Sequence, residues 1–158
     1  LGERKRRMNP IELKEYADPI DKLIEDYPSV FKGMVHSATY NLPSGWYLLV
    51  DKLCSDLSVL LDEEQKNTKE NPEQPLFVLL QIKEKFGGLR FYYMMNTDND
   101  KLYHEIRKLI DTAEDNSYKI CEVTGKPGNL CRSGMHYHTF CEEVRIKNEY
   151  EVVDNGNP

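Results

Sequence analysis

Apolar residues recur at helical spacing in "SGWYLLVDKLCSDLSVLLDEE", where Trp46, Leu49, Val50, Leu53, Leu57, Leu60 and Leu61 share one face. The pattern predicts a long amphipathic helix with Ser44 as its N-cap. A second such helix is expected from Asn99 to Asn116, with Leu102, Ile106, Leu109, Ile110 and Ala113 inward and Thr97-Asp98 as the cap. "NPIELKEYADPIDKLIEDYP" reads as a helix between Pro10 and Pro28, with a short stripe of Ile20, Leu23 and Ile24 and a kink threatened by Pro19. Residues 28–43 show no clear period, and a strand is expected around Met34–Tyr40. Between the two long helices lie a polar link, "EEQKNTKENPEQP", and then "QIKEKFGGLRFYYMM", Gln81 to Met95, which has the alternation of a β-hairpin. This order predicts an α+β fold: a small antiparallel sheet built on the hairpin, packed by two to three amphipathic helices, with a loop-rich C-terminal module.

A two-residue turn at Gly87-Gly88 sets an expected register, since both glycines accept positive φ. Phe86 then opposes Leu89, Glu84 opposes Phe91 and Ile82 opposes Tyr93, all on the core face. Lys85 beside Arg90 and Lys83 beside Tyr92 form the outer face. Glu84 is the misfit, because an ionised carboxylate on a core face needs a cation or backbone donors. His136, His138 and Arg132 are its candidate partners. The expected role of Glu84 is a buried structural carboxylate that docks two parts of the fold. Lys83, Lys85, Arg90 and Tyr92 form either a solvated face or a binding surface for an anionic partner.

Charge sharpens that contrast. The chain of 158 residues carries a net charge of -6. Residues 8–75 hold six basic and thirteen acidic residues, and residues 96–118 hold three and six. The hairpin, by contrast, sets Lys83, Lys85 and Arg90 against Glu84 alone. The length suits one domain, expected over residues 8–150 with a subregion at 119–145. Met8 reads as the natural start, Leu1–Arg7 as a cloning remnant or upstream extension, and residues 151–158 as a frayed tail. With no apolar run of membrane-spanning length, no visible signal peptide and four cysteines, the expectation is a cytoplasmic protein with reduced thiols and no membrane partner.

Those cysteines are Cys54, Cys121, Cys131 and Cys141. A zinc knuckle needs two cysteines separated by two residues and followed by Gly, so that both thiolates converge on one metal. Cys121-Glu122-Val123-Thr124-Gly125 has that outline with Thr124 in the second ligand position. Cys141-Glu142-Glu143-Val144 has it with Val144 in the last. "KFGGLRFYY", Ala113-Glu114, the "C-x-x-x-G-x-P-G" run from Cys121 and "GWYLL" at Gly45–Leu49 together resemble an uncharacterised family of small proteins from phages, prophages and bacterial genomes. The resemblance runs from Tyr27 to Val144. It implies a C-terminal knuckle with two full C-x-x-C pairs around zinc, from which this chain departs at Thr124 and Val144. The module is therefore expected to be degenerate and metal-free, with its thiols packed as small apolar groups. The alternatives are zinc held by Cys121, Cys131, His138 and Cys141, or a Cys121–Cys141 disulfide.

No phosphate loop, serine nucleophile motif or metalloprotease motif is present, and no catalytic residue is assigned. The leading expectation is a non-catalytic interaction protein of phage or mobile-element type, an inhibitor or counter-defence factor that binds a host or self protein. The alternative is nucleic-acid binding through the basic hairpin face and degenerate knuckle. The third class is a small enzyme acting on a nucleotide-like substrate.

Overall fold

The computed structural model describes residues 19–69 and 71–154. In chain order they form α1 (Pro19–Asp26), α2 (Pro28–Phe31), β1 (Thr39–Tyr40), a 3-10 turn (Ser44–Trp46), α3 (Tyr47–Asn67), β2 (Phe77–Lys85), β3 (Gly88–Met95), α4 (Asp100–Ser117), β4 (Asn129–Ser133), β5 (His136–Phe140), α5 (Glu142–Lys147) and β6 (Glu151–Val152). The fold is α+β. One sheet has the order β1-β2-β3 and a second has the order β5-β4-β6. No described helix is long and apolar enough to cross a membrane.

Helix α3 carries the expected stripe, and Val50, Leu53, Leu57 and Leu61 are buried along it. Its start differs from the expectation. Ser44 is no helix cap; its hydroxyl donates to the Val123 carbonyl (3.1 Å), and a 3-10 turn precedes the helix. Trp46 explains why: its ring is fully buried and its Nε1–H donates to the Ile120 carbonyl (2.8 Å), so the chain is bent to place it there. Helix α4 is capped by Asn99, whose Oδ1 accepts from the Leu102 N–H (3.1 Å), while Thr97 accepts from the Asn99 N–H (3.0 Å). Pro19 opens α1, where its missing N–H and fixed φ cost nothing. The helical segment expected before it lies outside the described residues.

The hairpin turn falls one residue earlier than expected. Lys85 pairs with Gly88, so the loop is Phe86-Gly87, with φ of 53° and 82°. Glu84 thus opposes Leu89, Ile82 opposes Phe91, and Lys83 opposes Arg90. Sliding a two-residue loop by one position shifts each cross-strand partner by two, so from the turn to Gln81 the faces survive the error. Phe86, expected inside, is exposed at the tip (62%). Gly88 is required by tertiary packing and not by the turn: a Cβ there would lie 2.3 Å from the Tyr118 ring. A bulge between Leu79 and Gln81 shifts the ladder further along, so that Phe77 pairs with Met95. The sheet is mixed, because β1 joins β2 in parallel.

Strand β3 ends the first sheet, and α4 runs along its open edge. The Leu89 N–H donates to the Ser117 hydroxyl (2.9 Å), and the Phe91 N–H donates to Glu114 Oε2 (2.8 Å). Side chains of a helix thus occupy donors that would otherwise invite another strand. Buried Trp46, Leu57, Ile82, Leu89, Phe91, Ile106 and Ile110 form the main core between this sheet and the helices. A smaller core of Cys121, Cys131, Phe140 and Cys141 centres the C-terminal module. The segment expected as a tail begins with β6, which pairs with β4 through Cys131↔Val152 and Arg132↔Glu151.

Two predictions follow from the packing of the main core and module. A Cβ at Gly45 would sit 2.1 Å from the Cys121 carbonyl oxygen, where the Gly45 N–H donates to the Glu122 carbonyl (2.9 Å). Gly45→Ala is expected to destabilise the protein by about 1–3 kcal/mol in urea unfolding. Burial raises the Glu114 carboxyl above the usual glutamate value, against the pull of the Phe91 N–H and Arg90. A raised value in the folded state means stability that is present at acid pH and lost as pH rises through it. Glu114→Gln keeps the acceptor without the charge, so relative to wild type its stability should improve as pH rises from about 4.5 towards 7. Urea midpoints measured across that range check this.

Candidate functional site

The hairpin turn presses against the C-terminal module, and three polar side chains meet there. Glu84 stands near the end of β2, Glu122 follows Cys121 in a tight turn, and His138 lies in the middle of β5. His138 Nδ1 is 2.5 Å from Glu122 Oε1 and 3.9 Å from Glu84 Oε1. Each carboxylate is anchored through its other oxygen. Glu84 Oε2 accepts from the Gly87 N–H (2.7 Å), and Glu122 Oε2 accepts from the Thr139 N–H (3.1 Å). The imidazole is oriented by stacking on Phe140 (centroids 5.1 Å apart, planes at 13°) and by the edge of Tyr150.

Local sequence explains the placement. Alternation in β5 points His138 and Phe140 to one side. The positive φ of Gly125 (77°) lets the chain fold back after Cys121, so that the Gly125 N–H reaches the Cys121 carbonyl (2.9 Å) and Glu122 projects inward. Thr139 is fully buried, and its hydroxyl donates to the Gly87 carbonyl (2.6 Å). Burial pushes the Glu122 carboxyl up and Glu84 adds to the rise, while the Thr139 N–H and His138 pull it back; the net direction is upward. His138 is thus the one of the three expected partners that the fold brings to Glu84. Glu122 was not foreseen at all. A glutamate after a knuckle cysteine reads as an exposed spacer, and no periodicity marks it otherwise.

The thiols form no ligand set with His138. Among the described residues, Glu84, Glu122 and His138 are the group of three or more potential ligands whose donor atoms all lie within 4.8 Å of one another. All four cysteines are free and buried. Thr124 donates its hydroxyl to Cys141 Sγ (3.6 Å), and Val144 packs against the small core. Burial alone would raise the Cys141 thiol; hydrogen bonds from the Val144 N–H, the Thr124 hydroxyl and Cys121 outweigh it and hold the value down. Cys131 is raised by burial, and its thiol donates to the Asn129 carbonyl (3.1 Å).

On the outer hairpin face the cations are engaged with their own chain. Lys83 Nζ lies 5.6 Å from the centre of the Tyr92 ring. Arg90 donates to the Tyr118 hydroxyl (3.3 Å) and to the Leu89 carbonyl (3.2 Å). Lys85 Nζ lies 5.7 Å from the Phe86 ring centre. A separate groove of about 570 Å³ runs between α3 and α4, and no histidine or cysteine lines it.

No family model, curated protein or solved structure matches the chain. The contact between turn and module makes its own prediction. Thr139→Val removes the hydroxyl that the Gly87 carbonyl accepts at almost constant volume, and should cost about 1–2 kcal/mol of unfolding free energy.

Proposed function

We propose that the protein is a non-catalytic interaction protein of the kind carried by phages and mobile elements, which acts by binding a host protein as an inhibitor or counter-defence factor. The observation that carries this reading is Phe86. A bulky aromatic residue, 62% exposed, occupies a left-handed backbone position at φ 53°. Asn or Gly would take that conformation at lower cost, and burial returns little to offset the strain. Backbone strain spent on displaying an apolar ring is the pattern of a binding site. With Lys85 beside it, the tip suits an apolar pocket flanked by a carboxylate on the partner.

Nucleic-acid binding by Lys83, Lys85, Arg90 and Tyr92 is the second reading, favoured by their common face. Against it, Lys83 covers the ring that would stack on a base, and Arg90 is held by Tyr118.

Phe86→Asn separates strain from binding. The variant is expected to be more stable by about 0.5–1 kcal/mol and yet to lose a protein that wild type captures from host lysate. Unchanged capture by the variant sinks the reading. So does affinity for single-stranded DNA that falls steeply with salt and disappears in Lys83→Ala/Arg90→Ala, which would establish the alternative.

A further inference from the structure

We infer that Glu84, Glu122 and His138 form a binding site for one divalent first-row transition-metal ion, bridging the hairpin turn and the C-terminal module. Three donors from three separate segments converge here, one oxygen from each carboxylate and one imidazole nitrogen, all within 4.8 Å of one another. The free oxygen of each carboxylate faces the histidine because its other oxygen is tied to a backbone N–H, Gly87 for Glu84 and Thr139 for Glu122. Outer hydrogen bonds of this kind orient metal ligands before the ion arrives. Stacking on Phe140 fixes the ring plane of His138 in the same way.

The distances suit the exchange of a proton for an ion. Ligands on a tetrahedron with bonds of about 2.0–2.1 Å stand about 3.3 Å apart. The Nδ1–Oε1 separations of 2.5 and 3.9 Å to Glu122 and Glu84 bracket that value, so the site assembles by side-chain shifts of under about 1 Å. When the ion binds, the proton held between His138 Nδ1 and Glu122 Oε1 leaves to solvent, and the lone pairs of both atoms go to the metal. The imidazole donor selects a transition metal over magnesium or calcium. Glu84 and His138 side chains are 24% and 30% exposed, so the remaining coordination positions open to water.

The test titrates the full chain with zinc chloride under reducing conditions and follows heat and the histidine proton resonances. The expected result is one ion per chain, with His138 signals shifting and those of His36 and His104 unmoved. Glu84→Gln keeps an acceptor for the Gly87 N–H and should weaken binding by about tenfold or more. Cys141→Ser should bind as wild type does. The inference is overturned by an absence of stoichiometric binding, by His138 signals that do not move, or by binding that survives Glu84→Gln and is lost in Cys141→Ser, which would place the ion among the thiols.

Discussion

Glu122 holds the two halves of this protein together. Its N–H donates to the Thr139 carbonyl and its own carbonyl accepts from the Gly45 N–H. One side-chain oxygen meets His138 and the other accepts from the Thr139 N–H. A carboxylate only 8% exposed is costly unless its lone pairs are filled, so the loop after Cys121, strand β5 and the entry to α3 must all arrive in register. Thr139 extends the chain of contacts to the Gly87 carbonyl, and with it the hairpin turn is locked to the module.

Short segments around Gly45, Gly87 and Cys121 converge on this junction. Gly45 is small because the Cys121–Glu122 backbone passes over it, and Trp46 fills the space beneath Ile120. Gly87 turns the hairpin under Leu130 and His138, and Gly88 makes room for Tyr118. Ala113-Glu114 belongs to the same logic at the other side of the hairpin: a small residue packs inward and a carboxylate covers the edge donor of Phe91. Short motifs far apart in sequence are therefore parts of one docking interface.

The thiols of the C-terminal module are buried and hydrogen-bonded. Thr124 hydrogen-bonds to Cys141 and Val144 contributes apolar contact, while the Val144 N–H stabilises the Cys141 sulfur. The polar convergence of Glu84, Glu122 and His138 lies where the module meets the hairpin.

Periodicity alone determined the α+β class, the two long amphipathic helices and the two faces of the hairpin between its turn and the bulge at Leu79–Gln81. These depend on local spacing, and alternation is kept even when the turn slides by one residue. It also singled out Glu84 as a carboxylate on a core face. The sequence could not place the turn at Phe86-Gly87, because Gly87-Gly88 is the turn of lower backbone strain. Only the Tyr118 ring against Gly88 and the module against Gly87 separate them. Nor could it reveal Glu122, whose burial comes from residues 17 positions away in β5 and 77 positions away at Gly45. Caps were misplaced for the same reason: Ser44 and Thr97 carry the right chemistry, yet the demands of Trp46 and Asn99 moved the helix starts. Local spacing decides which elements form; long-range steric fit and the satisfaction of buried polar groups decide how they meet, and the site exists only where they meet.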